Sequence, residues 1–155
     1  MFKENKNLIE YIGLSNYLPT NLKVFKKATT SKVLNLPIYK AKIKQITKVS
    51  VDIQIIDTLL IDTVSGQSLD GLILTGKKLI CYATVNYRIH YVSTEKIQTI
   101  QLCLIKVPLV ESIIVKSSSR EECNITTSIF IDDILCQTIS DDKLFLYSSF
   151  IISCD

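Results

Sequence analysis

From residue 79 to residue 91 every odd position (Leu79, Cys81, Ala83, Val85, Tyr87, Ile89, Tyr91) is apolar, while the even positions include Thr84, Asn86, Arg88 and His90. Successive side chains of a strand point to opposite faces, so this pattern predicts a long strand with one buried face. A helix would scatter the same residues around its circumference. Residues 43–56 repeat the pattern, with Val49, Val51, Ile53 and Ile55 on one face and Lys48, Ser50, Asp52 and Gln54 on the other.

Shorter apolar runs complete the series. Residues 22–28 and 32–36 read as short, Lys-rich edge strands ended by Pro37, as exposed edges often are. Residues 59–64 form another short strand before a Ser65-Gly66 turn, and 72–75 lies between Gly71 and Gly76. Residues 97–107 follow Val92 across Ser93-Thr94-Glu95-Lys96, a connection suited to a hairpin, and Pro108 is expected to end that strand. Residues 109–115 run into the loop-like segment 117–122, and strands 125–139 and 144–154 flank a turn at Ser140-Asp141-Asp142. Leu144, Leu146, Phe150 and Ile152 share one face of the last strand. At the N-terminus, Asn7 is placed to cap a short amphipathic helical turn over 8–12, closed by Gly13.

Regularly spaced strands with turn signals predict a mainly β fold, an antiparallel sandwich or barrel-like domain with a short N-terminal helical turn and arm. A chain of 155 residues with 47% hydrophobic residues has the length and the core material of one domain. Within that single folding unit, residues 1–36 read as a basic arm with edge strands and 37–155 as the β domain proper. The absence of Trp and a richness in Ile, Val, Thr and Tyr point the same way.

Charge adds an asymmetry. Residues 1–48 carry a balance of +8, all of its positive charge from Lys, whereas 49–155 carry −5. A two-ended chain of this kind favours head-to-tail contact between copies, or docking on an acidic surface; a solvated basic face is the plainer alternative. Phe25 and Tyr39 lie among the lysines, but no nucleic-acid module accompanies them, and Lys without Arg offers no base-edge fork. No nucleic-acid partner is expected. No signal-like apolar run follows the first lysines, and no stretch approaches the roughly 20 apolar residues of a membrane span. The expectation is a protein made in the cytoplasm.

Candidate chemistry is thin. Gly71-Leu-Ile-Leu-Thr-Gly76-Lys77-Lys78 nearly matches a phosphate-binding loop, but the last position lacks the hydroxyl that holds magnesium, and β-forming residues replace the expected helix start. His90 is the only imidazole, with no nucleophile motif beside it. Asp132-Asp133 and Asp141-Asp142 lack the alternating ligands of a calcium loop, and the second pair suits a turn. Cysteines 81, 103, 123, 136 and 154 form no C-x-x-C pair, so no zinc site is expected. Cys81 lies on the apolar face of its strand and reads as a small buried hydrophobe, whereas Cys154 is the candidate for an intermolecular disulfide. Asn124-Ile125-Thr126 matches a glycosylation acceptor that a protein without a secretory signal would not expose to that machinery. No catalytic residue, metal ligand or cofactor site is assigned.

The segments Gly66-Gln-Ser-Leu-Asp-Gly71, Leu74-Thr-Gly76-Lys-Lys-Leu-Ile80 and Ile89-His-Tyr91-Val92 closely resemble the SPOCS domain, found in SipL-like sporulation proteins and in stand-alone clostridial proteins. That family typically reads SLEGxxLTGxKLIVxGxxxxKIxYVA. The resemblance extends upstream through Asn7-Leu-Ile-Glu-Tyr-Ile-Gly-Leu and Leu36-Pro37, and downstream through 129–145, with the centre the most specific part. Ala41 stands near a usual Lys-Pro pair, Tyr82-Ala83 replaces a common Glu-Gly, Gln101 stands where His is frequent, and Leu109 follows Pro108 where Phe is usual. The LysM module of SipL-like proteins is missing from this chain, so recruitment through it does not transfer.

The resemblance implies a non-catalytic component of the spore envelope, made in the mother cell and deposited on the spore coat or surface. The expectation is a homo-oligomer or polymer, filaments included, that joins through strand edges and the N-terminal arm. Its interface candidates are Leu8, Ile9, Ile12, Lys23, Lys26 and Lys27. A monomeric adaptor that recruits another coat protein or binds a spore-envelope polysaccharide is the alternative.

Overall fold

A computed structural model describes residues 9–97, 99–116 and 125–155. Among these residues seven strands follow one another: β1 (Glu10–Ile12), β2 (Val24–Asn35), β3 (Ile43–Gln67), β4 (Ile73–Ser93), β5 (Ile100–Ile114), β6 (Thr127–Ser140) and β7 (Lys143–Cys154). They form a four-stranded sheet in the order β1-β3-β4-β5 and a three-stranded sheet in the order β2-β7-β6. All pairings are antiparallel except that of β1 with β3. The mainly β, sandwich-like fold read from the sequence is the one observed.

The alternation in β4 does what the pattern implies. Every odd residue from Leu79 to Ser93 is buried, and these side chains meet Val49, Val51, Ile105, Val107 and Leu109 from their own sheet. Leu144, Leu146, Phe150 and Ile152 close the core from β7. Tyr87 and Tyr91 contribute two of the largest fully buried side chains. Their hydroxyls are satisfied, as burial requires: Tyr87 shares a 2.7 Å bond with Ser148 Oγ on the opposite sheet, and Tyr91 donates to the Ala41 carbonyl at 2.7 Å.

Several elements differ from expectation. The expected helical turn over 8–12 is replaced, where described, by β1: Glu10, Tyr11 and Ile12 pair in parallel with Lys48, Val49 and Ser50. A sheet edge supplies hydrogen-bond partners along the chain, which outcompetes so short a helix. Asn7 and Leu8 lie outside the described residues. The two short strands expected over 22–36 are one strand, β2, held along its whole length by β7. The Ser65-Gly66 turn is likewise not there. β3 runs through those residues, and the chain reverses at 68–72, where Ser68 N–H donates to the Leu72 carbonyl at 2.9 Å. Pro108 does not end a strand but sits inside β5 opposite Thr84. β5 is an edge strand, where a missing N–H costs no ladder bond. The loop expected over 117–122, Cys123 and Asn124 lie outside the described residues.

Candidate assembly surface

A sandwich has four sheet edges, and each exposes main-chain groups unless something covers it. Three of them are managed in this molecule. The N-terminal arm crosses the β6 edge and bonds it at Ile131 and Cys136. The Tyr11 hydroxyl accepts from Cys136 N–H at 3.2 Å and faces the Cys136 carbonyl at 3.4 Å, while Ser15 N–H donates to the Ile131 carbonyl at 2.9 Å and Ser15 Oγ accepts from Ile131 N–H at 3.0 Å. β5 carries Pro108 and is capped by two ammonium groups, Lys40 Nζ on the Leu102 carbonyl and Lys26 Nζ on the Ser112 carbonyl, each at 3.0 Å. Among the described residues β2 pairs only with β7, and it carries Lys26, Lys27 and Lys32, with Lys23 just before it. Lysine is a common guard of exposed edges.

The fourth edge, that of β3, is covered only in part. β1 reaches no further than Ser50, because Gly13 turns the chain away with a φ of 114°. A Cβ at Gly13 would collide with the Val51 carbonyl oxygen. Glycine therefore permits both the close approach and the departure. Beyond it, residues 52–67 pair with β4 on one side and, among the described residues, with no strand on the other. At the rise of an extended chain this leaves about 50 Å of open edge.

The far end of β3 outruns β5. β5 ends opposite Lys78, so residues 62–77 continue as a two-stranded ribbon. Burial falls away along it: Val49 is fully buried, while Ile56, Leu59 and Val64 are 60%, 46% and 75% exposed. A bulge between Ile55 and Asp57 changes the phase of the side chains. Val49, Val51, Ile53 and Ile55 face the core before it. After it, Leu60 opposite Leu79 faces inward, and Asp57 and Leu59 lie opposite Tyr82 and Ile80 on the outer face. Bulges are common where strands bend at edges.

Charge follows the edges. Residues 52–73 contain Asp52, Asp57, Asp62 and Asp70 with no basic residue, whereas 23–35 contain Lys23, Lys26, Lys27 and Lys32 with no acidic one. Part of this charge is paired within the molecule: Arg88–Asp52 at 3.8 Å, Lys77–Asp62 at 3.0 Å, Lys26–Glu111 at 2.9 Å and Lys27–Asp132 at 3.5 Å. Among the described residues Asp57, Lys23 and Lys32 have no ion pair. The Asp57 carboxylate accepts from Thr58 N–H at 2.8 Å. At the ribbon tip the Ser68 hydroxyl bonds Asp70 and holds its carboxyl below the usual value.

The interface candidates from the sequence divide. Leu8 lies outside the described residues. Ile9 is half-buried against its own core, and Ile12 is exposed on β1. Lys26 is half-buried and Lys27 exposed along β2, both already paired, and Lys23 borders a cavity of about 430 Å³ lined also by Val24, Val115, Ile125 and Cys154. Cys154 does not offer the accessible thiol that an intermolecular disulfide needs. It is 4% exposed, and burial pushes the thiol up to about 11, away from the reactive thiolate. Cys81 is buried as expected, and its thiol is also raised by burial.

The other candidates take structural places. Gly71 lies in the β3–β4 turn and Gly76 within β4, with Lys77 on Asp62. His90 is half-buried, opposite Lys48 and Leu102. Asp132 and Asp133 occupy a bulge of β6, where Asp133 accepts from Ile134 N–H at 2.9 Å and Asp132 from the Ser149 hydroxyl. Asp141 and Asp142 make the β6–β7 turn, and their carbonyls receive Ile43 N–H and Leu36 N–H at 2.7 Å each. Among the described residues no group of His, Cys, Asp and Glu is placed to hold a metal ion, and no helix is long and apolar enough to cross a membrane.

Sequence reasoning missed Asp57, Leu59 and the free stretch of β3. One signal was present: Ile55-Ile56 sets two apolar residues side by side and breaks the alternation where the bulge occurs. No protein-family model, curated protein or solved structure matches this chain.

Proposed function

We propose that this protein is a non-catalytic structural and assembly component of the bacterial endospore coat or surface, which self-associates through its strand edges. The observation that carries the self-association is the open edge of β3 over residues 52–67, bordered by exposed Ile56, Leu59 and Val64. Unpaired main-chain groups in a row are a template for strand addition, and natural proteins normally blunt them. Here the β5 and β6 edges are obstructed, the β2 edge carries lysines, and among the described residues this stretch of β3 has no guard. Its place in the spore envelope rests on the resemblance of residues 66–92 to the SPOCS domain.

The described part of the N-terminal arm supports a role within the molecule, since β1, Tyr11 and Ser15 join β3 to β6 of the same chain. Assembly is therefore assigned to the edges first. The competing reading, a monomeric adaptor for a coat protein or polysaccharide, draws on exposed Ile100, Leu102 and Leu104 along the outer face of β5. Sedimentation velocity over a wide concentration range, with negative-stain electron microscopy, separates the two. Concentration-dependent growth into oligomers or filaments is expected. A single monomeric species throughout would overturn the assembly reading in favour of the adaptor.

A further inference from the structure

We infer that the occupant of the open β3 edge is the β2 edge of a second copy of this chain, added antiparallel, so that the contact propagates head to tail. This rests on the self-association reading above and specifies its geometry.

The partner edge follows by elimination. The β6 edge is crossed by the arm, with Ser15 on Ile131 and Tyr11 on Cys136, which leaves no room for a strand along its middle. The β5 edge lacks an N–H at Pro108, and the ammonium groups of Lys26 and Lys40 occupy two of its carbonyls. A second β3 edge would bring two acidic strands together, since residues 52–67 carry Asp52, Asp57 and Asp62 without a base. Like charges across a strand pair are destabilising. β2 alone combines a free side with the opposite charge.

The side chains then fall into place. An antiparallel register that sets Lys27 opposite Asp57 also sets Phe25 opposite Leu59, two positions further along. Phe25 and Leu59 are 59% and 46% exposed in the single chain. Both pairs belong to outer faces, since Lys27 and Phe25 alternate with half-buried Val24 and Lys26 and with buried Ala28, and Leu59 lies opposite outward Ile80. On the inner side the same register sets Val24 opposite Leu60, each already packed at the margin of its own core. Directly opposed side chains in a sheet share a face, and over residues 57–60 this register meets that requirement; the bulge between Ile55 and Asp57 ends the matched stretch, because beyond it outward Thr29 would stand opposite inward Ile55. Lys27 exchanges its 3.5 Å contact with Asp132 for an Asp57 that has no ion pair among the described residues.

The two edges also lie on opposite flanks of the sandwich. β3 packs over β6, and β5 over β2, so the free sides of β3 and β2 point away from each other. A contact between unlike edges on opposite flanks leaves one free edge of each kind after every addition. Such heterologous contacts close into rings or grow as open filaments.

The test uses charge reversal on the full chain, with circular dichroism and thermal melting to confirm that each variant folds. Sedimentation of the wild type first decides whether the chain associates at all; a strict monomer overturns both this inference and the assembly reading. Given association, Asp57→Lys and Lys27→Asp are each expected to weaken it about ten-fold or more, because each sets like charges opposite one another. An equimolar mixture of the two variants is expected to restore assembly, since the lysine introduced on β3 of one variant then meets the aspartate introduced on β2 of the other, and the unaltered edges also match. If either folded variant assembles as the wild type does, or if the mixture stays dissociated, the β3–β2 contact is wrong while self-association by another surface stands.

Discussion

Tyr87 illustrates how one polar atom fixes the two sheets against each other. Its ring is fully buried, and its hydroxyl meets Ser148 Oγ at 2.7 Å and Thr30 Oγ1 at 3.2 Å, both on the opposite sheet. Tyr87→Phe leaves Ser148 buried with a weakened set of partners, so a loss of about 1–3 kcal/mol is expected in urea unfolding. The buried thiols behave differently. Burial raises Cys154 from the ordinary 9.0 to about 11, and moves Cys81 and Cys103 in the same direction. In the unfolded chain these thiols ionise first, so their contribution is intact below pH 9 and lost as pH rises towards 11. Stability measured by denaturant titration should therefore fall across that window, and Cys154→Ala should make the fall shallower. Ellman titration of the native protein at about pH 8, below the ordinary thiol range, should leave Cys154 unreacted, and denaturant should release it. Burial of Cys81 was readable from its place in the alternation. Burial of Cys154 was not, because it depends on β2 and β6 flanking the end of β7.

β1 is the element on which the surface depends, since it decides how much of β3 is covered. Gly13 lets the arm touch β3 and then leave, with a positive φ that other residues seldom adopt. Gly13→Ala should dislodge β1 and cost about 1–3 kcal/mol, the usual range for a strained backbone position. Amide exchange should report this locally, with protection lost at Val49, Ile131 and Cys136 and retained at Lys48, at Ser50 and in the middle of β4. A uniform loss would mean that β1 has no separate role. The strands themselves were largely legible. Period-two alternation marked β3, β4 and β7 because each buries one face. The arm was not legible as a strand, since its three paired residues gain their order from the edge of β3 and from no pattern of their own. Pro108 misled for a related reason: proline excludes a central strand but not an edge, and position in a sheet is not written locally.

For the whole molecule, the separation of charge between β2 and the β3 ribbon makes association sensitive to salt. Surface charges are screened over about 8 Å at physiological ionic strength and over about 3 Å at 1 M. Assembly at fixed protein concentration should therefore slow and weaken as NaCl rises from about 50 mM to about 1 M, as followed by light scattering. Main-chain pairing and the apolar contact of Phe25 with Leu59 are not screened, so some association should survive the highest salt. Growth that strengthens with salt would assign the contact to apolar faces instead, with the exposed row on β5 the first to examine.

By itself the sequence determined the long alternating strands and the faces they bury, the mainly β class of fold and the lysine-rich character of one edge. All of these follow from the order of residues along the chain, because alternation and turn chemistry are local. Only the tertiary structure decided which edges are covered and which is open. That choice depends on pairings between distant residues, Tyr11 with Cys136 and Glu10 with Lys48 among them, and on where β5 stops alongside β4. Asp57 and Leu59 look like ordinary strand residues in the sequence. They become a surface because a bulge turns them outward and, among the described residues, no strand lies beside them.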